Sequence, residues 1–295
     1  MDFISKQEYE EIEKVVFEFI RCGSFFVTDD TYRIMENVRK LERFIHKEVM
    51  DGNFTMVYQP KVSPDGKCSL GAEALFRTNA DFFINPEVIF TLFKLYDSEK
   101  EVVKKQIEKV CSDISELAYN ISPNYCVSIN VSVKLIDENF CKCLHENLKK
   151  NELSTKNIQI ELLEHEDFEN LPKYAIESIK KLRSEGVTFA LDDYGTANAS
   201  KSNFNKFHFD SLKIDKSIIR KANETGDYTR LANIYKMAHE KNPKIEIVVE
   251  GVENENEVKK LQEIGKFNYQ GYYFSKPVKL EKIIEDYGIK KSMMC

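Results

Sequence analysis

Glycine and proline are scarce, 11 and 7 in 295 residues, which excludes collagen-like and linker-dominated architectures. No window approaches the run of about 18 apolar residues that a membrane-crossing helix needs. Stretches such as Val15-Val16-Phe17-Glu18-Phe19-Ile20 are short and broken by charge, so no membrane insertion is expected. The opening Met1-Asp2-Phe3-Ile4-Ser5-Lys6 lacks the basic-then-apolar layout of an export signal, and a cytoplasmic location is expected. Seven cysteines form no CxxC pair, so reduced thiols are expected rather than a disulfide framework. Cys141-x-Cys143 with nearby His145 fits no common zinc spacing, and on a helix those two cysteines face different sides. The formal charge of −6 argues against binding a DNA or RNA polymer through broad electrostatics. It leaves room for an anionic substrate held through metal ions, because a bound cation inverts the local charge. What remains is a chain of 42% hydrophobic residues, ordinary for a packed globular protein.

Residues 1–45 read as a helical extension. Tyr9, Ile12, Val16, Phe19 and Ile20 recur at helical spacing until Cys22-Gly23-Ser24 breaks the pattern. Thr28-Asp29-Asp30 is the expected cap of a second helix carrying Ile34, Val38, Leu41 and Ile45. From residue 54 the period changes. Strands are predicted over 54–62, 70–77, 125–133, 158–164, 188–194, 211–215, 245–253 and 269–278, mostly with helical crossovers between them. That arithmetic gives a TIM-like (β/α)8 barrel over residues 46–290. The first link is too short for a helix, and Pro64-Asp65-Gly66 supplies turn chemistry, so the first strand is expected to be antiparallel.

Polar residues recur in or at the ends of these strands: Glu73, Asn130, Glu161 with Glu164, Asp192-Asp193, Lys213, Glu250 with Glu253, and Gln270 where the last one begins. Charge inside a barrel is costly unless the groups converge on a ligand, and barrel active sites gather at the C-terminal strand face. Any one of these residues alone reads as a rim carboxylate or a salt-bridge partner. A structural explanation has to succeed at seven consecutive strands together. Five carboxylates (Glu73, Glu161, Asp192, Asp193, Glu250) would repel unless cations sit among them. Oxygen ligands without His or Cys suit hard ions such as Mg²⁺ or Mn²⁺. The Asp192-Asp193 pair suits two ions side by side, the usual apparatus for phosphate-ester hydrolysis. The five histidines lie in charged stretches with no nucleophile pattern beside them.

Seven ordered motifs carry a resemblance. They are Tyr58-Gln59-Pro60-Lys61-Val62, Gly71-Ala72-Glu73-Ala74-Leu75-Phe76-Arg77, Ile129-Asn130-Val131-Ser132, Leu191-Asp192-Asp193-Tyr194-Gly195-Thr196, Leu212-Lys213-Ile214-Asp215, Val249-Glu250-Gly251-Val252-Glu253 and Gln270-Gly271-Tyr272-Tyr273-Phe274-Ser275-Lys276-Pro277. In this order they resemble the signatures of EAL-domain cyclic di-GMP phosphodiesterases, over roughly residues 46–280. The resemblance implies that Glu73, Asn130, Glu161 and Asp192 ligate one divalent ion, and Asp192, Asp193 and Glu250 a second. It gives Lys213 the part of polarising the attacking water, Glu250 a further part as general base, and Gln270 a hold on the water or metal shell and on substrate. Gln59, Leu75 and Arg77 would line the substrate pocket, and Glu164 and Glu253 would support the ligands from behind. The implied reaction opens one phosphodiester of cyclic di-GMP to linear 5′-pGpG, in a homodimer.

One loop departs from the pattern. Ala197, Asn198 and Ala199 stand where the family usually has Gly-Tyr-Ser, and Leu163 replaces a common Thr. Because that loop is thought to couple metal binding to dimerisation, two further readings compete: a catalytically weak cyclic di-GMP receptor, or a protein-interaction regulator. Degenerate receptors usually lose a metal ligand. None is lost here.

Overall fold

Helix α1, Lys6–Cys22, starts at a capping box in which the Glu8 amide donates to the Ser5 hydroxyl and the Ser5 amide to the Glu8 carboxylate. It stops at Gly23, whose φ of 71° no β-carbon-bearing residue adopts readily. Tyr9, Ile12 and Val16 are its buried stripe, as the spacing predicts. Helix α2, Thr31–Met50, buries Val38, Leu41, Ile45 and Val49. The computed structural model describes residues 4–23, 31–163, 168, 170–196, 204 and 207–288, so the expected cap at 28–30 lies outside the described residues. Helix α3, Pro86–Leu95, occupies a stretch where the sequence reading predicts no element; it starts with Pro86 behind an Asn85 cap. Helices α1, α2 and α3 pack on one another. They belong to a first compact unit, Met1–Met56 with Phe76–Lys109.

The second unit is Val57–Leu75 with Val110–Cys295. The strands are β1 Phe54–Val62, β2 Ser69–Thr78, β3 Cys126–Asn130, β4 Ile158–Leu163, β5 Thr188–Tyr194, β6 Ser211–Ile214, β7 Glu246–Glu250 and β8 Asn268–Gln270, closed into a barrel in that order. Pairing is parallel from β2 through β8, while β1 meets β8 antiparallel with Val62 opposite Tyr269. The turn between β1 and β2 is held by the Ser63 amide on the Cys68 carbonyl, with Gly66 at φ 73°. A TIM-like barrel with a reversed first strand and a helical N-terminal extension is therefore what forms. Alternate strand residues such as Val127, Ile129, Ile160, Leu162, Phe189, Leu191 and Val249 are buried apolar positions. Among the residues between them are buried polar ones, Ser128 on β3 and Glu161 on β4. No helix among the described residues is long and apolar enough to cross a membrane.

Candidate active site

The site is built around one ammonium group. Lys213, 1% exposed on β6, places its Nζ 2.8 Å from Glu161 Oε2 and Asp192 Oδ1, 2.9 Å from Glu250 Oε1 and 3.1 Å from Glu73 Oε2. Those carboxylates come from β4, β5, β7 and β2, so the barrel brings together groups far apart in sequence. Among the described residues two sets of carboxylates have ligand oxygens mutually within 4.8 Å: Glu73, Glu161 and Asp192, and Asp192, Asp193 and Glu250. They share Asp192.

Adjacent residues in a regular strand face opposite ways, which would separate Asp192 from Asp193. A register shift between Leu191 and Tyr194, where β5 pairs with β6, breaks the alternation. Asp193 itself takes φ 55°, a left-handed conformation uncommon for a non-glycine residue. The Thr196 amide and hydroxyl both donate to its carbonyl, closing a turn. The bulge and turn together set two neighbouring carboxylates on one ion-sized space.

The charges are out of balance. Burial alone pushes the Glu161 carboxyl up, but Lys213 and Lys61 bring it down to about 2. Burial, with Glu73 and Asp193 adding repulsion, outweighs Lys213 at Glu250 and holds it up at about 7. Burial also keeps Asp192 well above the carboxylate range despite Lys213. Burial opposes the charge on Lys213 as well, yet Asp192, Glu161, Glu250 and Glu73 hold its ammonium well above the usual lysine range. An ammonium has three protons, and four carboxylates compete for them. The cluster is short of positive charge.

The amides close the ring. Asn130, exposed at the mouth, donates from Nδ2 to Glu73 Oε1 at 2.8 Å. Gln270 donates to Glu73 Oε2 at 2.7 Å and to Gln59 Oε1 at 3.2 Å, leaving its own buried Oε1 without a partner. Gln59 also donates to the Ser275 carbonyl. Leu75 is half-buried on β2. Arg77 falls in the first unit, where it donates to the Phe76 carbonyl and lies 6.0 Å from the Phe83 ring. Glu253 has an exposed side chain, and Glu164, like Ala197, Asn198 and Ala199, lies outside the described residues.

Two side chains that shape the site carry no role in the sequence reading. Lys61 on β1 donates to Glu161 Oε1 at 2.7 Å and to Gln159 Oε1 at 3.0 Å. Glu257 is buried and accepts from Asn223, Asn254 and the Glu253 amide, which pins the loop leaving β7 just beyond Glu250. That loop runs very close to its surroundings. A Cβ on Gly251 (φ +68°) would stand 2.4 Å from the Lys216 Cβ, and one on Gly271 2.1 Å from the Val252 carbonyl oxygen. A lysine within an otherwise strand-like motif was the one available signal for Lys61.

Fold and site together define an α/β-barrel protein with an acidic, oxygen-only centre at the strand ends. The chain belongs to the EAL domain family, whose model matches residues 40–277. Over 256 residues it is 32% identical to cyclic di-GMP phosphodiesterase PdeA of Borreliella burgdorferi, an alignment covering 83% of this chain and 36% of that one. It is 26% identical over 241 residues to cyclic di-GMP phosphodiesterase RocR of Pseudomonas aeruginosa, covering 77% of this chain and 58% of that one. The chain thus spans under two thirds of the length of these relatives. Among solved structures it is similar to the EAL enzyme Bd1971 in its cAMP- and cyclic di-GMP-bound form, with a TM-score of 0.77 and 25% identity over 85% of this chain and 69% of that one.

Proposed function

We propose that residues 46–290 form a metal-dependent phosphodiesterase barrel that hydrolyses cyclic di-GMP to linear 5′-pGpG, with residues 1–45 as its helical extension. The observation that carries this reading is the Lys213 ammonium ringed by four carboxylates from four strands, a cluster short of positive charge, in a chain of the EAL domain family.

The donor set fits divalent ions. It is all oxygen, it offers two three-carboxylate groups that share Asp192, and the buried Gln270 Oε1 still lacks a donor. Glu73, Asn130, Glu161 and Asp192 would hold one ion, and Asp192, Asp193 and Glu250 the other, either Mg²⁺ or Mn²⁺. Such ions supply an activated water and counter-charge for the leaving oxygen. In the reaction a water adds its hydroxyl to one phosphorus, that P–O ester bond breaks, and the released sugar oxygen takes up a proton. Lys213 contributes fixed positive charge where negative charge builds on the phosphoryl oxygens. Glu250, beside Lys213 and Asp193 at the strand ends, would also accept the water's proton as general base. Gln270 fixes Glu73 through one amide hydrogen and Gln59 through the other. Gln59, Leu75 and Arg77 would contact the dinucleotide, and Glu164 and Glu253 would support the ligands. The working form in this reading is a cytoplasmic homodimer, which sedimentation of the purified chain would check.

The test is incubation with cyclic di-GMP and Mg²⁺ or Mn²⁺, with an EDTA control and products resolved by anion-exchange chromatography. Metal-dependent pGpG is the expected outcome. Bound but intact dinucleotide would replace the enzyme with a receptor, and neither turnover nor binding would leave only an interaction role.

A further inference from the structure

Lys61 touches the one carboxylate of the cluster whose side chain is wholly buried. Glu161 has 0% side-chain exposure and both of its oxygens are engaged by ammonium groups, Oε1 by Lys61 at 2.7 Å and Oε2 by Lys213 at 2.8 Å. The reversed direction of β1 makes this contact. Gln59 reaches Gln270 at the end of β8, whereas Lys61, two residues on, reaches Gln159, which lies two residues before Glu161 on β4. Lys61 therefore approaches Glu161 from beneath, on the side away from the strand ends. Gln159 is fixed in turn, donating from Nε2 to the Thr188 hydroxyl on β5 at 3.4 Å.

The two lysines differ in how many carboxylates they serve. Among the described residues Lys213 is shared among four, whereas the ion pair of Lys61 is with Glu161 alone. Glu161 Oε2, beside Lys213, faces the space that Glu73 and Asp192 also face. Oε1 is the oxygen that Lys61 engages.

We propose that Lys61 is a positioning residue for metal ligation: by gripping Glu161 Oε1 from below, it leaves Oε2 as a single, fixed ligand oxygen, and Gln159 holds Lys61 in place to do so. This rests on the metal reading of the same site. Partners of this kind, behind a ligand, are typically worth about 10–100-fold in metal affinity. A pure charge role has the opposite sign, because a cation near the site repels an incoming divalent ion. Removing that repulsion alone would tighten binding; removing the positioning weakens it.

The test is Mn²⁺ titration of the EDTA-stripped, dialysed full chain by calorimetry, with no nucleotide present. Lys61→Met is expected to weaken Mn²⁺ by about 10–100-fold. Turnover of cyclic di-GMP by that variant should return to within a few-fold of wild type once Mn²⁺ saturates, a split that a merely destabilised fold would not produce. Gln159→Leu leaves the charge count unchanged and should weaken Mn²⁺ several-fold in the same direction. It decides the matter if circular dichroism shows that Lys61→Met does not fold. Mn²⁺ binding as tight as wild type, or tighter, in the folded variants overturns the role of Lys61. Failure of the wild-type chain to bind Mn²⁺ at all would instead overturn the metal reading beneath it.

Discussion

The two compact units treat charge in opposite ways. In the first, ion pairs lie on helix surfaces: Arg33 with Glu11 at 2.9 Å, Lys105 with Glu108 at 3.0 Å and Lys40 with Glu36 at 3.5 Å, all partly exposed. Its interior is Ile12, Val16, Leu41, Ile45 and Phe93. Exposed pairs of this kind contribute about 0–1 kcal/mol. In the second unit Lys213, Glu161, Asp192 and Glu73 are buried together, with fewer positive charges than negative. A fold gains little from such an arrangement, since desolvating each ion costs several kcal/mol. The difference separates charge kept for solubility from charge kept for chemistry.

The most severe break of that contrast is to remove a charge from each unit. Glu73→Ala or Asp192→Ala should lower turnover of cyclic di-GMP by about 10³-fold or more, through lost ion binding and lost electrostatic stabilisation. Lys213→Ala should do the same while nucleotide affinity, read by calorimetry, stays within a few-fold. Arg33→Ala should leave turnover within about twofold, as expected for an exposed pair. Full activity in Glu73→Ala would show the site assignment to be wrong.

A second, smaller effect follows pH. In the ion-free protein burial holds Glu250 at about 7 instead of its ordinary 4.5. Over that window the folded protein keeps a proton that the unfolded chain has released, so ion-free stability falls as pH rises from about 4.5 to about 7. A divalent ion needs the deprotonated carboxylate, so its apparent affinity rises over the same window and binding releases protons. The melting-temperature gain from saturating Mn²⁺ should therefore be larger at about pH 8 than at about pH 5.5. Calorimetry in two buffers of different ionisation enthalpy should register the released protons. An equal gain at both pH values would mean that Glu250 is not among the ion's ligands.

How far the sequence revealed this molecule depended on the range of each interaction. The barrel was legible because strand period, turn chemistry and the polar residue at each strand end are all local. The observed β1 coincides with its expected span and β5 with its own. Lys213, Glu73, Glu161, Asp192 and Glu250 were legible as a set because the barrel rule sends strand ends to one face. Lys61 was not, since its partner lies 100 residues away and nothing local separates a lumen lysine from one at a strand edge. Glu257 was hidden for a similar reason. In Glu255-Asn256-Glu257 it reads as one more solvated helix-start carboxylate, yet it is 7% exposed and accepts three hydrogen bonds. The positive φ of Asp193 has no local signature either, because Asp is tolerated rather than required in that conformation.

The finest test sets stability against function. In the first unit the buried Tyr9 hydroxyl accepts from the Asn85 amide and donates to Glu13, both at 2.8 Å, while its ring lies 5.4 Å from Phe82. Tyr9→Phe keeps the ring and leaves the Asn85 amide unpartnered, so it should cost about 1 kcal/mol and lower the melting temperature by about 2–4 °C. Turnover at saturating substrate should not change. In the second unit Glu250→Gln removes a half-buried negative charge that desolvation and Glu73 disfavour. At about pH 8, without ions, it should stabilise the protein by about 1–2 kcal/mol and raise the melting temperature, while turnover assayed with Mn²⁺ collapses. The signs are opposite because one hydroxyl completes a hydrogen-bonded interior and the other group strains an under-neutralised one. If Glu250→Gln melted lower than wild type in EDTA, the four carboxylates would be a structural ion-pair network balanced by Lys213. The case for an ion site would then rest on family membership alone.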